Sequence, residues 1–273
     1  MNNHSNQFTS SKPNVLWTDV AGYPQLKKKL EQLIRWPIEH PETYRKLGVK
    51  PPSGILLHGP SGCGKTMLVH AIANEIPISF ISVKSHQIYS KYLGESERMI
   101  RLLFQQANKS KPCIIFLDDI DSIGTRREWS EDGAGGVNER VLSSLLNEMD
   151  GVGNRDGIIV IACTNQCQNL DDALTRPGRL DIHLKVSIPT TQDRFDILNH
   201  LCKKSNVDLS DDVLQTLVDK TFNFTGADLN ALLREAGILA MLESISHPKI
   251  QIHHLMKALK GVISENREGW WKY

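Results

Sequence analysis

The 273-residue sequence has almost no excess of either charge: 32 Lys and Arg against 31 Asp and Glu leave a net charge of +1. So balanced a chain has no electrostatic footprint for nucleic acid or an anionic membrane, and neither partner is expected. It also lacks any apolar run approaching the ~20 residues that span a bilayer. Residues 1–14 are polar, with neither a signal h-region nor an Arg-rich transit pattern. A cytoplasmic or nuclear location is expected. Cysteine is sparse and odd in number (Cys63, Cys113, Cys163, Cys167, Cys202), which points to unbridged thiols. Cys163-x-x-x-Cys167 has no second ligand pair to complete a structural zinc site. Internal repeats are absent, and the only biased tract is the Gly-rich Glu131–Gly136, read as a flexible loop.

What remains is an ordinary globular composition with a regular order. Residues 1–14 are expected to form a disordered tail. Up to Pro189, apolar strand patterns near 54–58, 79–83, 113–118, 157–163 and 182–188 alternate with amphipathic helices near 24–35, 65–75, 96–109 and 137–149. Alternation of this kind predicts a mostly parallel sheet covered on both faces. Beyond Pro189 the strands stop, and segments near 191–204, 210–220, 226–243 and 251–263 carry helical periodicity. The expected fold is therefore α/β: a three-layer αβα sandwich over 15–189, a small all-α domain over 190–264, and a tail over 265–273.

The strand-to-helix turn after Ile55-Leu56-Leu57 reads Gly59-Pro60-Ser61-Gly62-Cys63-Gly64-Lys65-Thr66, a full match to the P-loop pattern G-x-x-x-x-G-K-[ST]. Its glycines let successive N–H groups point inward, and the following helix N-terminus, continuing through Met67, adds positive potential. A polyphosphate seat follows, with Lys65 reaching the β- and γ-phosphates and Thr66 ligating Mg²⁺. A second cluster, "CIIFLDDID" (Cys113 to Asp121), is an apolar strand that ends in carboxylates. Acids at the C-terminal edge of a sheet lie where α/β folds bind ligands. Asp118 suits the Mg²⁺ shell and Asp119 the group that orients an attacking water.

With these residues in place, the chain strongly resembles the AAA family of ATPases from Trp17 to Ile263. The stretch "RWPIEHPETYRKLGVKPPSGILLHGP" is most similar to the second ATPase module of tandem members such as valosin-containing protein and the spermatogenesis-associated AAA proteins. The resemblance implies ATP and Mg²⁺ as ligands and assigns roles by position. "WTDVAG" resembles the segment bordering the adenine, at Val20, Ala21 and Gly22. Asn165 takes the first sensor position, at the γ-phosphate or the attacking water, and Gly226 and Ala227 of "FTGADLNALLREAG" close over the nucleotide. Arg176 and Arg179 in "LTRPGRLD" resemble arginine fingers acting on a neighbouring subunit, which implies a homo- or hetero-oligomeric ring, normally a hexamer. "NEMDGV", with Asp150 and Gly151, is similar to the intersubunit signalling segment. Lys91, Tyr92 and Leu93 occupy the pore-loop position where an aromatic grips a polypeptide client, and residues 131–136 with Arg126 and Arg127 the second pore loop.

The sequence departs from the family at position 119, where Glu is usual and Asp stands here. Loss of one methylene withdraws the carboxylate by roughly 1.5 Å, and misplacement of that size lowers rates on the order of 100-fold. The expected function is ATP-driven remodelling or unfolding of proteins through a central pore. The alternative is a nucleotide-binding structural subunit of a mixed ring, with weak or no hydrolysis. A DNA-loading machine is disfavoured by the neutral charge and by the Gly-Ala-Asp segment, which lacks the arginine those relatives carry. Unfoldases usually carry a substrate-recruiting domain before this module; the client and any adaptor are not named by the sequence.

Overall fold

Ile55–Leu57, Ile114–Leu117 and Ile158–Cys163 are apolar at consecutive positions, and a strand of that kind must be covered on both faces. The computed structural model describes residues 14–88, 94–124, 135–152, 157–205, 207, 209–245 and 249–269, and shows how the covering is done. The elements of the first part are α1 (Pro24–Glu39), α2 (Pro41–Leu47), β1 (Gly54–His58), α3 (Lys65–Glu75), β2 (Ser79–Lys84), α4 (Glu95–Lys109), β3 (Cys113–Asp118), α5 (Asp121–Gly124), α6 (Gly135–Val152), β4 (Ile158–Thr164) and β5 (Ile182–Lys185). The five strands form one sheet in the order β2-β3-β4-β1-β5. Every pairing is parallel, with Lys84 beside Asp118, and His58 beside both Thr164 and Lys185. The strands therefore all deliver their C-terminal residues to the same edge.

Alternation along the strands sorts the two faces. Ile81, Val83, Ile115, Leu117, Val160 and Ala162 pack into one buried cluster with Ile100, Leu103 and Phe104 of α4 and Leu142, Leu145 and Met149 of α6. On the opposite face Phe80 and Phe116 stack on each other at 6.1 Å between centroids, and both meet the ring of His70 from α3 edge-on. One helix runs past its expected end: α1 continues through Pro37 to Glu39. Pro37 cannot donate to the carbonyl four residues earlier, but Arg35 pairs with both Glu31 and Glu39 at 3.7 Å across the same turns, and the N–H of His40 still reaches Trp36 O at 2.8 Å. β5 ends at Lys185, short of the expected 188; Pro189 follows close behind and has no N–H to give a ladder.

The second part is helical: α7 (Thr191–Lys204), α8 (Asp211–Lys220), α9 (Gly226–Glu243) and α10 (Ile252–Gly269). Leu198, Leu214, Leu217, Leu229, Leu232, Leu233 and Leu255 share its buried core. α7 and α9 both open with a full capping box, Thr190 with Asp193 and Thr225 with Asp228. By contact the chain falls into two compact units. The described residues of the first are 14–17, 24–60 and 65–186; those of the second are 18–23, 61–64 and everything from 187 onward. The crest of the P-loop and the segment before α1 thus cluster with the helices. Among the described residues no helix is long and apolar enough to cross a membrane.

Phe104 is fully buried between α4 and the sheet, whereas Phe222 is 74% exposed. Phe104→Ala is expected to cost about 3–5 kcal/mol and Phe222→Ala less than ~0.5 kcal/mol. Denaturant unfolding distinguishes them, and equal costs would contradict the core assignment.

Candidate functional site

In the sheet unit, β1 runs out at His58 and the backbone turns at Gly59. A Cβ at Gly59 would lie 2.0 Å from Val186 O, so the position admits only glycine. Lys65 opens α3, is only 7% exposed, and directs its ammonium back across the turn. Its Nζ donates to Gly59 O and Pro60 O at 2.8 Å and to Asn165 Oδ1 at 2.6 Å. One residue on, Thr66 Oγ1 donates to the Asp118 carboxylate at 3.1 and 3.2 Å. Burial pushes the Asp118 carboxyl up; the Thr66 hydroxyl partly offsets this, and the charge of Asp119 adds to it. Asp119 leaves β3 in the left-handed region, φ 53°, where Asp is among the few non-glycine residues regularly found. Asn165, just past β4, presents its Nδ2 to Asp119 Oδ1 at 3.4 Å, at the outer limit for a hydrogen bond. Lys65, Thr66, Asp118, Asp119 and Asn165 thus stand together at the C-terminal edge of the sheet.

This donor set fits the ligands that the P-loop implies. The hydroxyl of Thr66 beside a carboxylate is the hard-oxygen pair that magnesium takes, and a buried ammonium at the mouth of the loop is the cation that an anionic phosphate calls for. His58, at the same edge, is held below the ordinary imidazole range by burial first and then by the neighbouring His183, Lys185 and Lys65.

In the helical unit the P-loop crest, Ser61 to Gly64, lies against the opening of α9. Ala227 N donates to Gly62 O at 3.1 Å, and a Cβ on Gly62 would come within 2.7 Å of Thr225 Oγ1 and 3.0 Å of Ala227 Cβ. Gly62 and Gly64 are left-handed, at φ 78° and 86°, and the space where a Gly64 Cβ would sit is open. Gly226 sits over Gly62 O. The segment Val20-Ala21-Gly22 belongs to this unit too. It leads into Tyr23, a residue that sequence reasoning did not single out. The N–H of Tyr23 is taken by Asp193, and its hydroxyl reaches Ser187 O. The Thr-Thr-Gln-Asp capping pattern of 190–193 was legible; the distant contact to residue 23 was not.

The two candidate fingers differ. Arg176 is exposed. Arg179 is held within its own unit: Nε and Nη2 fork onto Asp150 at 2.6 and 2.8 Å, and Nη1 donates to Ala173 O. Lys91, Tyr92, Leu93, Arg126, Arg127 and 131–134 lie outside the described residues. All five cysteines are unbridged. Among the described residues one cluster brings three metal-capable side chains together, Glu243, His253 and His254. There His254 Nδ1 accepts the N–H of Gln251 at 3.1 Å, so its Nε2 carries the proton and donates to Glu243. These contacts hold Glu243 below the usual carboxylate range; a metal at Nε2 would have to displace that proton.

The comparisons with known proteins agree with the geometry. A model of the "ATPase family associated with various cellular activities (AAA)" matches residues 55–188, and one of the AAA+ lid domain matches 211–257. The chain belongs to the AAA family of ATPases. It is 42% identical over 250 residues to the ATPase family gene 2 protein of Saccharomyces cerevisiae, covering 92% of this chain and 32% of that protein. To the human ATPase family gene 2 protein homolog A it is 41% identical over 254 residues, covering 92% and 28%. To the cell division cycle protein 48 homolog of Archaeoglobus fulgidus it is 45% identical over 235 residues, covering 85% and 31%. The chain spans about a third of the length of these curated relatives. It is an AAA ATPase module of their type, a family that binds ATP, followed by its lid.

The Arg179 hydrogen bonds are the first cause that holds the Asp150 carboxyl below its ordinary value. A carboxylate whose folded pKa is depressed contributes stability above its unfolded pKa and loses it as pH falls through the folded one. Arg179→Ala should therefore move the Asp150 titration, followed by NMR, upward toward the ordinary range. An unmoved midpoint would mean the fork is not formed in solution.

Proposed function

We propose that the chain is an ATP hydrolase that works in a ring, probing and remodelling a polypeptide client. The observation that supports this best is the grouping of Lys65, Thr66, Asp118, Asp119 and Asn165 at one sheet edge. Lys65 is the cation for the β- and γ-phosphates. Thr66 and Asp118 would hold Mg²⁺, which when bound neutralises charge developing on the phosphates. Asp119 orients the attacking water and takes up its proton, and Asn165 fixes that carboxylate or the water by its amide. The helical unit supplies Val20 to Gly22 for the adenine and Gly226 and Ala227 against the P-loop crest. Arg176 and Arg179 are proposed to act on the nucleotide of a neighbouring subunit in a hexamer. For Arg179 that requires release from Asp150. Tyr92, with Lys91 and Leu93, is proposed to grip the client by apolar contact, which needs no sequence readout. A cytoplasmic or nuclear setting accords with this reading.

A second reading, a nucleotide-binding ring subunit with weak hydrolysis, is favoured by one feature, the shorter carboxylate at Asp119. The αL backbone at that position bears on the choice. Glu enters αL less readily than Asp, so the shorter acid goes with the local backbone instead of being an isolated loss.

Lys65→Ala is expected to abolish ATP binding in calorimetry, since the cation opposite the phosphates is gone; unchanged affinity would remove the basis of the assignment. Asp119→Asn should leave ATP affinity within about twofold yet lower kcat by on the order of 100-fold, because only the transition state uses that carboxylate. Asp119→Glu is expected to raise kcat if reach limits the chemical step. Wild-type turnover that is negligible and indifferent to both changes would favour the structural subunit.

A further inference from the structure

Gly22 and Tyr23 are consecutive left-handed residues, at φ 74° and 52°. A bulky side chain in that region is uncommon and strained, so something must hold it. The holder is Asp193, in the first turn of α7 and only 7% exposed. Its Oδ1 accepts the N–H of Tyr23 at 2.7 Å, while its Oδ2 accepts from Thr190 N at 3.1 Å and Thr190 Oγ1 at 2.6 Å. The two carboxylate oxygens are thus divided between two tasks: one caps a helix, the other pins a segment 170 residues away in sequence. Gly22 fits the contact closely, since a Cβ there would lie 3.1 Å from both Asp193 Cβ and Oδ1. The Tyr23 ring completes the brace. Its hydroxyl donates to Ser187 O at 3.0 Å, and the ring lies beside Cys63 of the P-loop crest. Burial, then Cys63 and Asp193, push the phenol well above its usual pKa and keep it a donor.

We propose that Asp193 is a positioning residue for base recognition: through the Tyr23 N–H it fixes the backbone of Val20 to Gly22 against the helical unit. This rests on the reading of Val20 to Gly22 as the adenine-bordering segment. An ordered backbone edge can read a base only if it is already in place, because ordering it on binding would cost affinity. Lys65 donates to Gly59, Pro60 and Asn165 and Thr66 to Asp118, a set apart from the Asp193 contact, so its loss should be felt by the base more than by the phosphates.

The test measures Kd for ATP and for inorganic tripolyphosphate on the full chain, in the wild type and three variants. Asp193→Ala should weaken ATP about tenfold, the scale of one lost hydrogen bond to a charged group, and leave tripolyphosphate within about twofold. Thr190→Ala removes the cap but not the Tyr23 contact; it should lower Tm much as Asp193→Ala does while keeping ATP affinity near wild type. Asp193→Asn retains an oxygen for the short Tyr23 bond and should restore most of the ATP affinity. Equal weakening of ATP and tripolyphosphate by Asp193→Ala, or equal loss of ATP affinity in Thr190→Ala, would reduce Asp193 to a helix cap and overturn the proposal. Wild-type protein that binds tripolyphosphate but gains nothing from the adenosine would overturn it through the adenine assignment. Wild type that binds neither would overturn the nucleotide reading and the proposal with it.

Discussion

A lysine that is only 7% exposed must find acceptors for its ammonium, because an uncompensated buried charge costs several kcal/mol. Much of this site follows from how Lys65 meets that requirement. Its acceptors are two carbonyls of its own loop and the side-chain oxygen of Asn165. Using the loop carbonyls forces the chain to curl, and curling places the first turn of α3 so that Thr66 faces Asp118. Using Asn165 ties the loop to the end of β4, and the amide of Asn165 in turn faces Asp119. These neighbours follow from a parallel sheet whose strands all end at one edge.

Arg179 meets the opposite condition. Its guanidinium forks onto Asp150, a partner that is 55% exposed, so water competes for the carboxylate side of the pair. An exchange of partners is chemically open to it, since a phosphate also accepts two N–H groups of a guanidinium at once. Asp150 stands in the segment that resembles the intersubunit signal, so the proposed finger and the proposed signal are in direct contact within one chain. Arg176, exposed, carries no such restraint.

Patterns that are local in sequence were read to the residue. The helices expected at 65–75, 191–204 and 226–243 are α3, α7 and α9, and the strands at 54–58 and 113–118 are β1 and β3. Their ends are set by glycines, acids and capping threonines within a few residues. The end of α1 was not legible, because Pro37 argues for a stop, whereas the helix runs on to Glu39 with Arg35 paired to Glu31 and Glu39 across that turn. α2 and α5 are too short, at 7 and 4 residues, to show a period. Within the site, the P-loop and the paired acids are contiguous motifs, and the resemblance supplied Asn165. Tyr23 and Asp193 were missed for a plain reason: each looks ordinary in its own neighbourhood, and what makes them matter is a contact between them that only the fold creates. The left-handed backbone of Asp119 was equally invisible, though it supplies a physical context for the departure from Glu that the sequence could only record.

On the proposed reading this chain carries the ATP site, and the fingers that complete hydrolysis come from a neighbouring subunit. Steady-state ATP hydrolysis per subunit, measured across a protein concentration series, tests this most directly. Specific activity is expected to be low in dilute protein and to rise as subunits assemble, while ATP affinity stays constant throughout. Full specific activity that is independent of concentration in a demonstrably monomeric sample would contradict it.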